Sequence, residues 1–257
     1  MRQDLVLFRY MRGLFWGGLV VAVLLYAPVL VTVLGAVGSF AGVSTRTVDG
    51  IGDAGNLANI GISNLTILAS LVAVLIGATA GSIDHQTGML RDLVLAGRSR
   101  SAIALRRIAA GATWLLGATA VALVVILVAA VTLAPVGGSM SFGDTLGSAA
   151  SMLPGLAAAL LLGAGFALLL GSRGIAVGAF FLFSLIIDNV LIAIPKVGHV
   201  WEQIALSRAV DQVTRSIDPT AANDIHDVSL THAVIVLVAW CVIPLALGLL
   251  RLSRRDL

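Results

Sequence analysis

The chain has 257 residues, 59% of them hydrophobic and 11% charged, with a mean hydropathy of +1.05. Soluble domains carry about 25% charged residues, so a water-soluble fold is excluded and most of the surface must face lipid. The net charge is +3 and the pI is about 9.7, but the 15 Arg and one Lys stand mostly at the ends of apolar runs, which fits membrane topology and not a nucleic-acid footprint.

The N-terminal segment MRQDLVLFRYMRGLFW sets Leu5, Phe8, Met11 or Arg12, and Phe15 at helical spacing, with Arg2 and Arg9 on another side. Residues 1–12 are therefore expected to form an interfacial helix whose arginines meet anionic headgroups. The apolar run that follows is too long for the h-region of a cleaved signal peptide.

A helix needs about 20 apolar residues to cross a hydrocarbon core roughly 30 Å thick. Uncharged runs of that length cover 13–45, 54–83, 108–143, 145–172 and 228–250. A sixth, 174–194, is interrupted only by Asp188. Barrel strands alternate apolar and polar residues, and these runs do not. The expected fold is all-α: one polytopic domain over 1–257 with six transmembrane helices. Glycine pairs four residues apart, at Gly13/Gly17, Gly77/Gly81 and Gly174/Gly178, signal close helix packing.

Polar residues gather early in the second span. Asn56, Asn59, Ser63, Thr66 and Ser70 fall on one helical stripe, with Asn64 nearby. Intramembrane polar groups are costly and point to function by default. The stripe either lines a substrate route or hydrogen-bonds between helices.

The segment GSIDHQTGMLRDLVLAGRSRSAIALRR, residues 81–107, then places two Asp and five Arg between Asp84 and Arg107. Asp84 can cap a helix start. Met89, Leu90, Leu93 and Val94 form an apolar face, with Arg91, Asp92, Arg98 and Arg100 on the other sides. Gly97 is a helix stop. A short amphipathic helix is predicted over 84–97, beside the membrane between the second and third spans.

Further on, GSRG at 171–174 leaves room only for a tight hairpin between the fourth and fifth spans. Asp188-Asn189 stands out in the fifth, because a charge at the bilayer centre costs about 2.5–3.5 kcal/mol on insertion scales. Asp188 precedes Pro195 by seven residues, or about 10 Å of helix. It either lines or gates an outward-opening cavity, or caps the broken end of its helix and meets water. The longest loop, 195–229, contains WEQIALSRAVDQVTRSI, with Leu206, Val210, Val213 and Ile217 at helical spacing. That predicts an amphipathic helix on the outer surface or dipping into the membrane edge.

Basic side chains are retained on the cytoplasmic side. With the N-terminus inside, 12 of the 16 basic residues fall in inner segments, and the acidic ones lean outward. Both termini are then cytoplasmic. A phosphate-binding loop needs a Lys after its glycines, and the only Lys, Lys196, has no such loop before it. H-E-x-x-H and G-x-S-x-G are absent, and His85, His199, His226 and His232 are scattered. The sequence therefore reads as no enzyme and as having no metal site. Cys241 is the single cysteine, so no intrachain disulfide forms.

With these residues in place, the chain resembles the permease subunit of type-2 ABC transporters, a bacterial exporter family. The family's second cytoplasmic segment runs from an acidic residue through G-T-L-R and a Leu pair to S-R and a later basic residue. Here Asp84 stands for the usual Glu, Gly88-Met89-Leu90-Arg91 for G-T-L-R, then Leu93 and Leu95, Ser99-Arg100, and Arg106 or Arg107. The tail Ser253-Arg254-Arg255-Asp256-Leu257 is also like the family's. Asp at 84 and Met at 89 depart from the pattern.

The resemblance implies that 84–97 is a coupling helix docked in the groove of a separate cytoplasmic ATPase subunit. Leu90, Leu93 and Val94 would pack there, with Asp84, Gly88, Arg91 and Arg100 at the contact. It further implies a second permease copy, identical or paralogous, and export across the bacterial plasma membrane. ATP and magnesium would be bound by the ATPase, with no cofactor in this chain. Asn59, Ser63, Thr66, Ser70, Asp188 and Asn189 are the candidates for the substrate path. The main alternative is an ion-gradient-driven transporter or channel, for which Asp188 would be the charged broken-helix site. A lipid-modifying enzyme lacks a paired carboxylate or His cluster. A protein that only binds a partner for self-protection is a further alternative.

Overall fold

The computed structural model describes residues 54–87, 99–133, 141–194, 197–218 and 229–254. The regular structure among them is entirely helical: α1 (Ala54–Thr87), α2 (Arg100–Leu133), α3 (Phe142–Ser151), α4 (Leu153–Leu170), α5 (Arg173–Phe181), a π-helical segment (Leu182–Ile187), α6 (Asp188–Ala193), α7 (Gly198–Ile204), α8 (Leu206–Ile217) and α9 (Leu230–Arg254). In lipid the backbone must satisfy its own polar groups, and helices do so within one segment. Four stretches are long and apolar enough to cross a bilayer: Gly61–Ser82, Ser101–Val128, Phe142–Leu170 and Leu230–Ser253. Their length and composition are those of a membrane protein.

Local chemistry sets several ends. Ser141 is extended, and its hydroxyl accepts the Asp144 amide at 3.3 Å, capping α3. Met152 separates α3 from α4, where Pro154 sits in the first turn and so gives up no interior hydrogen bond. Gly171 closes α4 at φ 73°, the left-handed position that glycine adopts without strain. The chain turns at once into α5, as the GSRG hairpin predicts.

α4 is the centre of the bundle, packed between α1 and α9. Small residues let the backbones meet. A Cβ on Gly163 would lie 2.6 Å from the Val74 carbonyl oxygen, and one on Gly81 would lie 2.6 Å from that of Ala164. Gly77 is pressed against the Leu160 carbonyl. On the other side of α4, a Cβ on Gly165 would come within 2.9 Å of Pro244, and one on Gly248 within 2.6 Å of Leu168. Leu65, Val74, Leu156 and Leu162 fill the spaces between helices.

These contacts also give the topology. Gly77 meets Leu160 and Gly81 meets Ala164, so α1 and α4 run parallel. Gly165 meets Pro244, and Leu168 meets Gly248, so α9 runs the same way. Gly61 meets Ile126 and Gly111 meets Ile76, so α2 is antiparallel to α1. Val121, Val124 and Val128 on α2 and Ile235, Val238 and Val242 on α9 are exposed, as lipid-facing residues should be.

Charge divides between the two ends. Where α1, α4 and α9 finish, the described residues include six arginines (100, 106, 107, 173, 251 and 254) and one acid, Asp84. The opposite end carries Asp144, Asp188, Glu202, Asp211 and Asp218 with two arginines, Arg208 and Arg215. Arg251 donates from Nη1 to the Leu169 carbonyl, meeting one of the acceptors that the end of α4 leaves open.

Several expectations change. The first expected span, 13–45, and the interfacial helix over 1–12 lie outside the described residues. So does most of the 84–97 helix. Its first residues, Asp84–Thr87, continue α1 without a break, so Asp84 lies in a last turn and does not cap a new helix. The expected fourth span is two helices joined at Met152. The fifth is a helical course whose α geometry is interrupted at Leu182–Ile187, and its apolar stretch, Arg173–Ser184, is short.

Candidate functional site

The fifth course breaks where its charge lies. π-Helical turns are rare and occur mostly as single wide turns at functional positions. Here Leu182–Ile187 takes that form, and Asp188 follows directly. The neighbours Ile186, Ile187 and Val190 are exposed, whereas Asp188 is 2% exposed. Its Oδ1 accepts a 2.7 Å hydrogen bond from Trp201 Nε1 on α7. A buried carboxylate needs such a partner, because leaving it unpaired costs several kcal/mol. Asp188 is therefore turned inward; it neither caps a frayed end nor meets open water.

Aromatic rings pack beside the indole of Trp201. Phe183, on the π segment, meets Trp201 edge-on with centroids 6.4 Å apart. Its other neighbour is Trp240 of α9 at 4.7 Å. Edge-to-face and tilted ring pairs of this kind are favourable beyond their contact area.

α7 is also tied down at its C-terminal end. A helix leaves its last carbonyls without intrahelical partners. The chain is extended at Ala205, which separates α7 from α8. Ala205 N donates to the Trp201 carbonyl at 2.7 Å. The two carbonyls nearest the break take side chains from α9: Trp240 Nε1 donates to Ile204 O at 2.7 Å, and His232 Nε2 lies 2.8 Å from Gln203 O. A carbonyl only accepts, so Nε2 is the protonated nitrogen of His232. At the start of α7, Gly198 meets the Ile192 carbonyl too closely for any side chain.

α8 is the amphipathic helix. Leu206 and Ala209 are buried, Val210 and Val213 half-buried, and Ile217 exposed. It packs against α9, α3 and α4, so it rests on the bundle itself. Ser148 of α3 donates to Asp218 Oδ2 at 2.6 Å, and Thr214 donates to the Ser151 carbonyl at 3.2 Å. Together α7 and α8 cap the less basic end.

The other candidates are dispersed. Ser63 is exposed, and Thr66 and Ser70 are half-buried beside the exposed Ile67 and Leu71. Thr66 donates to the Ile62 carbonyl at 2.9 Å, and Ser70 to that of Thr66 at 2.8 Å. These hydroxyls bond back to their own helix, and neither bond bridges helices. Asn59 lies on α1 and Asn189 on α6, far from one another in the chain; their side chains, like those of Asp84 and Arg100, lie outside the described residues. Gly88, Leu90, Arg91, Leu93 and Val94 lie outside them altogether. Arg100 opens α2. Among the described residues no group of three His, Cys, Asp or Glu side chains could hold a metal ion.

The sequence reading missed Trp201, Trp240, Phe183, His232 and the Ser148–Asp218 pair. A tryptophan 13 residues beyond a membrane carboxylate was a signal for the first of these. Trp240 and His232 meet backbone carbonyls, and Phe183 and the Ser148–Asp218 pair meet partners on other helices, none of which a sequence displays. Scans of protein families, curated proteins and solved structures gave no match to the chain.

Proposed function

We propose that the chain is the membrane-spanning permease subunit of an ATP-driven type-2 ABC exporter in the bacterial plasma membrane. In this reading six helices cross the membrane, both termini are cytoplasmic, and two such subunits enclose the substrate route. A separate ATPase binds ATP and magnesium and docks on residues 84–97. Closure of the ATPases pushes these segments and tilts the membrane halves, which opens the route outward. The observation that carries the reading is the arrangement of the two described helices that flank the motif in the sequence. The segment holding Gly88, Leu90, Arg91, Leu93 and Val94 joins two antiparallel membrane-length helices, α1 and α2, at the arginine-rich end of the bundle. Rigid helices leading away from such a segment are suited to transmit a displacement.

The test is co-purification with the ATPase encoded beside the gene. The intact chain should retain it, and a Leu90→Asp/Arg91→Glu/Leu93→Asp variant that still inserts in the membrane should lose it. Retention by the variant would remove the coupling assignment. No association with an ATPase, in detergent and in nanodiscs, would favour the second reading, a gradient-driven transporter or channel. A buried carboxylate at an interrupted helix supports that alternative, because such breaks form ion sites in secondary transporters. Ion-dependent uptake abolished by Asp188→Asn would then be the expected result.

A further inference from the structure

The π segment, Asp188 and Trp201 form a chain of contacts running from the fifth helical course into the cap. A π turn holds one residue more than an α-helix needs over the same course. Removing that residue restores regular helix and leaves everything beyond it facing the same way. Keeping the residue while the turn tightens has a different result. The extra residue must then pass along the helix, and each later side chain swings by about 100°, the rotation per residue at 3.6 residues per turn. The helix can absorb the extra residue at its far end, where Ile194 is already extended.

Asp188 is the first residue past the wide turn. A swing of that size carries its carboxylate away from Trp201 Nε1, now 2.7 Å distant, one helical position further round, in the direction of the exposed Val190. It also moves Ile192, whose carbonyl abuts Gly198. Phe183 lies on the wide turn itself, so its packing against Trp201 and Trp240 changes in the same movement. Three contacts that hold α7 thus depend on the register of one helix.

We propose that the wide turn at Leu182–Ile187 is a register switch and that the Asp188–Trp201 hydrogen bond is its latch, which keeps the α7–α8 cap closed and releases it when the turn tightens. The proposal rests on side-chain geometry and holds whichever energy source drives transport.

Hydrogen exchange of the full chain in nanodiscs tests it, read at the amides of α7. Asp188→Ala and Trp201→Phe should each speed exchange there at least about tenfold, since a hydrogen bond to a charged group contributes more than about 1.4 kcal/mol. The double variant should exchange no faster than the quicker single one. Asp188→Asn keeps an acceptor for the indole but loses the charge, and should fall between wild type and Asp188→Ala. Deleting Ile186, which is exposed, removes the extra residue and should leave α7 at least as protected as in wild type. Unchanged exchange in both Asp188→Ala and Trp201→Phe would overturn the latch. If deletion of Ile186 exposes α7 while the α1 and α4 amides remain protected, the register switch is overturned, because the wide turn would then be needed for packing alone.

Discussion

The seam between α1 and α4 and the cap formed by α7 and α8 both hold helices together where lipid removes the usual hydrophobic drive between them, and they do so by different means. The seam uses absence. Gly77, Gly81 and Gly163 have no side chains, so the backbones lie against one another and dispersion acts over a long contact. The cap uses presence. Trp201, Trp240, His232 and Ser148 each reach across a gap to one acceptor. A seam of that kind has one packed arrangement and little tolerance. A cap held by a few directional bonds can leave and return, because each bond contributes only about 1–3 kcal/mol. The rigid part and the releasable part of the bundle are separated in this way.

The comparison is tested most severely at Gly77. Gly77→Leu drives a side chain into the Leu160 carbonyl and should cost more than about 3 kcal/mol, seen as loss of monodisperse protein in detergent or a fall in Tm. A variant of near-native stability would mean that α1 and α4 do not meet along this line. A smaller effect is expected in the cap. Trp240→Phe keeps the ring against Phe183 and removes the donor to Ile204, for a loss of about 1 kcal/mol. Hydrogen exchange should rise in α7 and not in α4; equal exposure of both would show that cap and seam are one cooperative unit. The least effect is expected at Gly174, where a Cβ meets no described atom within 4 Å. Gly174→Leu should change stability by less than about 0.5 kcal/mol. A larger loss would reveal that residues beyond those described, or a second copy, pack against α5.

That last pair marks the limit of what was legible beforehand. Gly77/Gly81 and Gly174/Gly178 have the same spacing and were read alike, but only the first pair meets a neighbouring helix among the described residues. Spacing shows that a backbone can approach and leaves the partner open. Gly163, Gly165 and Gly248 complete the two seams from helices where no four-residue glycine pair drew notice. The membrane-length helices were legible because charge is excluded from them over tens of residues. The turn at Gly171 was legible because so few residues lie between the two runs. Asp188 was conspicuous as a charge in an apolar stretch. Its environment was not, since the inward turn depends on a helix geometry with no composition of its own and on a tryptophan that α7 holds against the fifth course. The amphipathic spacing of Leu206, Val210 and Val213 correctly placed a helix, but not the bundle beneath it.

The parallel run of α1, α4 and α9 has an electrical consequence. Each helix carries a macrodipole equivalent to about half a negative charge at its C-terminal end, and in low dielectric three such ends side by side repel one another. α2 and α5 begin at the same end of the bundle and return about half a positive charge each. The guanidinium of Arg251 on the Leu169 carbonyl then acts as a counter-ion to the residual field. The basic residues at this end thus do more than orient the protein in its membrane: they neutralise a partial charge that the helix directions themselves create.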